Sequence, residues 1–132
     1  MLRGVALAAA VVSAVVAVVD VTGTRSAPAR VYRASVGQAS GRAWVRVAAG
    51  HGELVVRDLA QPAAGEVYEV WLQRRHGRPQ PTSALFGVTT RGSGDVAVPG
   101  SLRGVVRLIV TQEPVGGSRT PTLPAIISAQ LA

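Results

Sequence analysis

The stretch TQEPVGGSRTPT, residues 111–122, decides the fold, because the apolar runs VVRLIV and AII lie on either side of it. Pro114 and Pro121 each fix one φ angle. Gly116 and Gly117 lie between the two prolines and allow φ to be positive. The pattern therefore predicts that one strand ends in a stiff loop and that a new strand begins after it.

Apolar and polar residues alternate with period two over most of the chain after residue 30. Val45 and Val47, for example, alternate with Trp44 and Arg46. Turns that contain Gly or Pro separate these stretches, and no amphipathic helical pattern follows residue 30. The strand candidates are 31–36, 42–48, 53–59, 66–73, 83–88, 95–98, 105–112 and 125–131. We therefore predict an all-β fold, an antiparallel β-sandwich of about seven or eight short strands.

The N-terminal segment differs from the remainder, because residues 4–19 are apolar or small apart from Ser13. A helix over this range is about 24 Å long, and extending it to residues 1–22 covers the roughly 30 Å of a bilayer core. A charge near each end of such a helix lies close to an interface, where it is tolerated. We therefore predict one N-terminal transmembrane helix before the β-sandwich.

This division gives three parts: a transmembrane helix over 1–22, a tether over 23–30 and an extracytoplasmic domain over 31–132. Two other interpretations of the first part stay open. A cleaved signal peptide would use Ala27-Pro28-Ala29 as its small-x-small site. A buried soluble helix is the third, although valine is a poor helix former in water.

The chain carries 14 arginines, no lysine and a formal net charge of +7, so nucleic acid has to be considered as a partner. The arginines are scattered, and the local cluster of Arg74, Arg75 and Arg78 has no interleaved aromatic residues for base stacking. The sequence therefore argues against nucleic-acid binding.

No catalytic, cofactor-binding or metal-binding pattern is visible. The chain has no cysteine, and His51 and His76 lie in separate turns without a second ligand at a characteristic spacing. Ser118 follows two glycines, but Thr120 breaks the nucleophile-elbow pattern. No glycine-rich loop leads from a strand into a helix. We predict that the chain is not an enzyme and binds no cofactor or metal.

The two tryptophans suggest different roles. Trp44 lies between Arg42 and Arg46 on the predicted outer face, which makes these three residues a candidate partner contact. In the alternative interpretation, the arginine side chains cover the indole through cation–π contact. Trp71 is predicted to be structural and to seal the sandwich near the Glu113-Pro114 loop.

Glu113 is predicted to hold that loop in place. Its carboxylate lies just before the turn and is within reach of backbone amides there, such as those of Gly117 or Ser118. A carboxylate that accepts such hydrogen bonds would fix the turn against the end of the strand.

Several of these segments resemble one known family, the C-terminal domain of the anti-sigma-K factor (RskA) family. The resemblance covers the chain from about residue 43 to the C-terminus. It rests on a Tyr-x-x-Trp-Leu strand, a Gly-x-Pro turn, a Leu-Phe strand and a closing Thr-x-Glu-Pro-x-Gly-Gly-Ser-x-x-Pro-Thr element. Leu123 follows the last motif, where the family often has Gly. The matching residues are Tyr68, Trp71, Leu72, Gly77, Pro79, Leu85, Phe86, Thr111, Glu113, Pro114, Gly116, Gly117, Ser118, Pro121 and Thr122.

The resemblance implies a regulator of an alternative sigma factor. In that family a cytoplasmic domain sequesters sigma, and regulated proteolysis through the membrane segment releases it. We expect a membrane-anchored, anti-sigma-factor-like protein that supplies the extracytoplasmic sensor half and lacks the sigma-binding domain. The alternative function is an envelope protein-binding or adhesion β-sandwich module unrelated to sigma regulation.

The expected location is the cell membrane, crossed once, with the C-terminal domain outside, as the resemblance implies. The positive-inside rule alone favours the reverse, because Arg25, Arg30 and Arg33 follow the apolar segment and only Arg3 precedes it. We favour the outside placement. The expected partners are membrane lipid through residues 1–22 and an envelope protein or protease, with sigma contacted only indirectly or through a missing domain.

Overall fold

The computed structural model describes residues 14–16, 28–37 and 40–132, and these form an antiparallel sheet. Of residues 14–16 it describes only the backbone. The nine strands are β1 (Ala14–Val16), β2 (Ala29–Val36), β3 (Arg42–Ala48), β4 (His51–Arg57), β5 (Glu66–Arg74), β6 (Gln80–Phe86), β7 (Gly94–Val98), β8 (Val105–Pro114) and β9 (Ile127–Gln130).

The strands lie side by side in the order β6-β5-β8-β9-β2-β3-β4-β7. β2 joins the two halves, because residues 30–34 pair with β3 and residues 35–36 pair with β9. β6 and β7, the two ends of this order, lie close to each other, so the sheet curls back on itself. The all-β, antiparallel prediction is confirmed. The two separate sheets of a sandwich are replaced by one continuous, curled sheet.

All eight strands predicted after residue 30 are present; β3 has the predicted bounds, and the other seven have shifted bounds. The largest shift is in β6, which begins at Gln80, directly after the Gly77–Pro79 turn, and not at residue 83. β8 continues to Pro114, because its last residues still pair with the start of β5. Ala29 and Arg30, expected in the tether, are the first two residues of β2.

The predicted transmembrane helix falls almost entirely on residues that the structure does not describe. The only described residues of that segment form β1, which pairs with residues 29–31 of β2 on the edge opposite β3. These three residues are therefore in a strand, where a helix was expected. Among the residues described, no helix has the length and apolar character needed to cross a membrane.

One face of the curled sheet holds the hydrophobic core, as the period-two alternation requires. Each fully buried aliphatic side chain contributes about 1.5–3 kcal/mol relative to an exposed one. Tyr68 and Phe86 pack within this core with ring centroids 5.4 Å apart. The fully buried aliphatic residues of the core are Val45, Leu54, Val56, Val70, Leu108, Val110, Ile127 and Ala129.

Antiparallel pairing places the connections at two ends of the sheet. The proximal end, where the chain enters β2, contains residues 28–30, the 49–50 turn, the 75–79 hairpin, the 99–104 loop and the C-terminus. The distal end contains residues 58–65 and 87–93, together with residues 115–126, which we call the closing segment. Chain entry and chain exit therefore lie at the same end.

Gly92 locks two distal loops together. Its φ is 79°, its amide donates to the Thr89 carbonyl and its own carbonyl accepts from the Leu59 amide. A Cβ at this position would lie 2.5 Å from the Leu59 oxygen and 2.6 Å from the Leu59 nitrogen. Only glycine fits, because both neighbouring atoms belong to the backbone.

We predict that Gly92→Ala lowers the free energy of unfolding by about 3 kcal/mol, because left-handed strain adds to a backbone clash. Gly100→Ala is the matched control, since Gly100 also has positive φ, 84°, but open space around it. The control should lose only about 1–2 kcal/mol. Urea titration of both variants measures the difference, and equal losses would contradict the clash.

Candidate functional site

A polar cluster is buried on the face of β5 and β8 that points away from the core. We call it the carboxylate cluster and define it as Glu69, Thr111 and Glu113 with Ser118 and Thr122 of the closing segment. The three strand residues expose 3%, 0% and 0% of their surface. Glu69 and Thr111 are register partners, and Glu113 lies two residues farther along β8 on the same face.

Glu113 is held by several donors. Its Oε2 accepts from the Thr122 amide at 2.8 Å, and its Oε1 accepts from the Thr122 hydroxyl at 2.7 Å. The Thr111 hydroxyl also donates to Oε2. Charge-assisted hydrogen bonds of this kind are each worth about 1.5–3 kcal/mol. Glu113 thus fixes the far part of the closing segment.

Glu69 holds the near part of the same segment. Its Oε2 accepts the Ser118 amide at 2.9 Å. A Cβ at Gly117 would lie 3.2 and 3.3 Å from the two Glu69 oxygens and 3.1 Å from Leu85. Gly116 and Gly117 both have positive φ, as expected. Glycine at 117 therefore lets the turn lie directly on the carboxylate.

The expected hydrogen-bond partners of Glu113 were wrong in one respect. The Ser118 amide binds Glu69, and the backbone amide on Glu113 comes from Thr122. The turn at Gly116 and Gly117 carries the chain first over β5 and only later back over β8. For this reason the closest amides in sequence do not reach Glu113.

The pKa values of the two carboxylates are shifted in opposite directions. Burial raises the pKa of Glu69, the Ser118 amide opposes this, and the nearby Glu113 charge raises the pKa further. Burial also acts to raise the pKa of Glu113. Hydrogen bonds from Thr111, from the Thr122 amide and hydroxyl, and from the Ser118 hydroxyl outweigh it, so the Glu113 pKa is lowered.

Other residues of the sequence motif lie in and around this cluster. The Trp71 indole is fully buried and donates to the Thr111 hydroxyl at 2.9 Å, so it extends the network into β5. Tyr68 and Leu72 face the core, and the Tyr68 hydroxyl donates to the Ala60 carbonyl. The remaining motif residues lie in turns or at strand ends: Gly77, Pro79, Pro114, Gly116 and Pro121.

The candidate partner contact lies elsewhere, on the outer face of β3. Trp44 is half-buried, and the cation over its ring is Arg57 at 5.8 Å, not Arg42 or Arg46. Arg42 and Arg46 instead form exposed ion pairs, at 3.2 Å with Asp58 and at 3.6 Å with Glu53. An arginine was expected to cover the indole, but the arginine that does so, Arg57, lies on the next strand, β4.

A groove of about 710 Å³ lies beside Trp44 and is lined mainly by residues of β2 and β3. Arg33 and Arg42 supply its polar lining. Its apolar lining comes from Val31, Ala34, Val36 and Ala43, together with the indole. Such a mixed surface suits a peptide or another amphiphilic partner and provides no catalytic group.

Metal chemistry has no support in the part of the chain that the structure describes, which contains no group of three or more candidate ligands. His51, the first residue of β4, and His76, in the β5–β6 connection, are both exposed. The buried pair Glu69 and Glu113 is closed over by hydrogen bonds from the protein itself.

Sequence reasoning missed Glu69 of the carboxylate cluster and Arg57, which covers Trp44. It named Thr111 as a motif residue but gave it no role in the cluster. A carboxylate two residues before Trp71 within an apolar strand was a usable signal, because a buried charge needs partners. Arg57 left no such signal, since its contact depends on the β3–β4 register.

We predict that Glu113→Gln lowers the free energy of unfolding by about 2–4 kcal/mol, because an amide group then faces the Thr122 donors. Glu66→Gln, at an exposed position, is the control and should change stability by less than about 0.5 kcal/mol. Thermal or urea unfolding measures both. A small effect for Glu113→Gln would show that the closing segment does not depend on this carboxylate.

We also predict a stability maximum in mild acid. The ionised form of Glu69 is disfavoured in the folded state, so stability falls as pH rises from the ordinary glutamate value of 4.5 through the raised Glu69 pKa. Glu113 acts oppositely, since stability is lost as pH falls from 4.5 through its lowered pKa. Glu69→Gln should flatten the profile above 4.5 and keep the acid limb. A variant with an unchanged slope above 4.5 would contradict the assignment.

The comparisons with known proteins agree with the motif. A family model described as the anti-sigma-K factor rskA, C-terminal, matches residues 4–126, almost the whole chain. No curated protein and no solved structure matches the chain. The matched range includes β1 to β8, the carboxylate cluster and the closing segment. The chain belongs to the anti-sigma-K factor RskA C-terminal family.

Proposed function

We propose that this chain is the extracytoplasmic, regulatory half of a membrane-anchored anti-sigma factor. Membership of the family, over residues 4–126, is the observation that carries the proposal. That family is one of regulators and not of enzymes. The domain then works by contact with other proteins, and its folded sheet is the part that makes the contact.

The apolar segment supports the anchor. Residues 4–19 have the composition of a membrane span, and the family match includes them from its first residue. In this proposal residues 1–22 cross the cell membrane once and residues 31–132 lie outside. The strand at 14–16 counts against a helix there, so membrane insertion of this segment has to be measured.

The start of β2 suggests how the domain regulates proteolysis of the chain. Ala29 is buried, and Ala29 and Arg30, the last two residues of the predicted tether, are held in β2. Proteases bind their substrates as extended chains that can be surrounded, so residues fixed within a sheet are protected. We propose that the folded domain shields the tether, residues 23–30, until a signal releases the first residues of β2 from the sheet.

The Trp44 groove is the proposed contact for an envelope protein or protease. Arg33 and Arg42 supply charge, and the indole supplies a large contact area, which is typical of interface hot spots. The same groove favours the second candidate function, an envelope-binding module unrelated to sigma regulation. Sigma itself is contacted indirectly or through a separate domain in this proposal.

We expect reporter fusions to the C-terminus to be active only outside the cytoplasm. The C-terminal residue is exposed at the proximal end, so a fusion does not disturb the core. An alkaline phosphatase fusion should be active and a green fluorescent protein fusion dark, and external protease should digest the domain in spheroplasts. The reverse pattern would exclude the extracytoplasmic half.

Two further readouts separate the candidate functions. Deletion of the gene should change transcription from promoters of an alternative sigma factor, and the purified chain should not retain sigma. Unchanged transcription with an external C-terminus favours the envelope-binding module. Co-purification of sigma with this chain would contradict an indirect contact.

A further inference from the structure

The two ends of the sheet differ in charge. The proximal end carries Arg30, Arg74, Arg75, Arg78, Arg103 and Arg107. The C-terminal carboxylate also lies at this end, and the side-chain carboxylate Glu53, near the start of β4, already pairs with Arg46. At the distal end Arg42, Arg57, Arg91 and Arg119 are balanced by Asp58, Glu66, Asp95 and the two buried glutamates. The excess positive charge of the folded domain therefore lies at the end where the N-terminal segment joins.

The proximal arginines lie on a connected surface. Arg74 donates to the Ser101 carbonyl at 3.2 Å, which links the 75–79 hairpin to the 99–104 loop. The Leu102 amide donates to the Gly50 carbonyl at 2.8 Å, which links that loop to the 49–50 turn. Arg75, Arg78 and Arg103 project from these linked connections and are exposed. None of the three forms an ion pair with another described residue.

We propose that this proximal end docks on anionic phospholipid headgroups of the membrane that anchors the chain. The inference rests on the proposed anchor, because an apolar segment joined at this end would bring it to a membrane surface. Six residues, 23–28, separate the predicted span from β2 and reach at most about 21 Å. Arginine pairs well with phosphate, and each basic residue close to an anionic bilayer favours binding about fivefold.

Lipid fits this surface better than nucleic acid does. No tryptophan, tyrosine or phenylalanine lies in the proximal connections 49–50, 75–79 and 99–104, so base stacking has no platform there. The apolar stretch of residues 4–19 joins the same end and matches a bilayer. Docking would hold the domain upright on the membrane and cover the tether between them.

The absence of cysteine from the chain makes a site-specific test straightforward. Ser101→Cys at the proximal end and Thr90→Cys at the distal end each give one labelling site, and both positions are exposed. The full chain, labelled with a fluorophore, is placed in vesicles of phosphatidylcholine with or without 30 mol% phosphatidylglycerol, about one lipid in three as in a charged bilayer. Headgroup nitroxides then report distance by quenching.

The expected result is strong quenching at Ser101→Cys that requires phosphatidylglycerol and is lost at high salt, with weak quenching at Thr90→Cys. Arg75→Gln/Arg78→Gln/Arg103→Gln should lower the docking equilibrium about 100-fold and remove the quenching. Arg42→Gln/Arg91→Gln/Arg119→Gln removes the same charge from the distal end and should retain it. Equal losses in both triple variants, or equal quenching without phosphatidylglycerol, would overturn the proposal.

Two controls separate the possible failures. Cosedimentation with pure phosphatidylcholine vesicles at high salt measures the anchor alone, so its loss would contradict the proposed function and not the docking surface. Binding to a DNA duplex should be weaker than to anionic vesicles at equal salt. Tighter DNA binding that depends on Arg75, Arg78 and Arg103 would assign the surface to nucleic acid and overturn lipid docking.

Discussion

The hydrogen bonds that two buried carboxylates make to one loop are the constraint on which the distal half of this domain depends. Glu69 holds the Ser118 amide, and Glu113 holds Thr122 through both backbone and side chain. The chain between β8 and β9 must cross the outer face of β5 and β8 and then return to pair with β8. Without those acceptors the Ser118 and Thr122 amides would lie against the sheet with no partners.

Burying charge in this way costs desolvation, and the cluster offsets that cost unequally. Glu113 has enough donors for its negative charge to be favoured, whereas Glu69 has one backbone donor and a charged neighbour. Glu113 therefore stabilises the fold more when it is ionised, whereas Glu69 stabilises the fold more when it is protonated. Such a pair makes the outer layer sensitive to proton concentration, while the inner core of aliphatic side chains is not.

Much of the sheet could be predicted from the sequence, because alternation and turn residues act locally. The TQEPVGGSRTPT stretch correctly separates β8 from β9, and Trp71 is buried beside it. The partner of Glu113 and the cation over Trp44 were assigned to the wrong residues, since both depend on register and on the path of a loop. The single curled sheet also escaped prediction, because no local signal shows that β2 pairs with β3 first and with β9 later.

The outer edges of the sheet show how the fold closes without a complete ladder. Pro81 in β6 lacks an amide donor, and Ser83 has φ of 67°, so this strand cannot present a regular edge to another chain. The shared strand β2 has a mechanical consequence as well. Tension on the N-terminal chain acts along the axis of β2, which pairs with β3 over residues 30–34 and with β9 over residues 35–36. The load is then distributed over both ladders at once, so the strand resists sliding far more than it would resist being peeled from one neighbour.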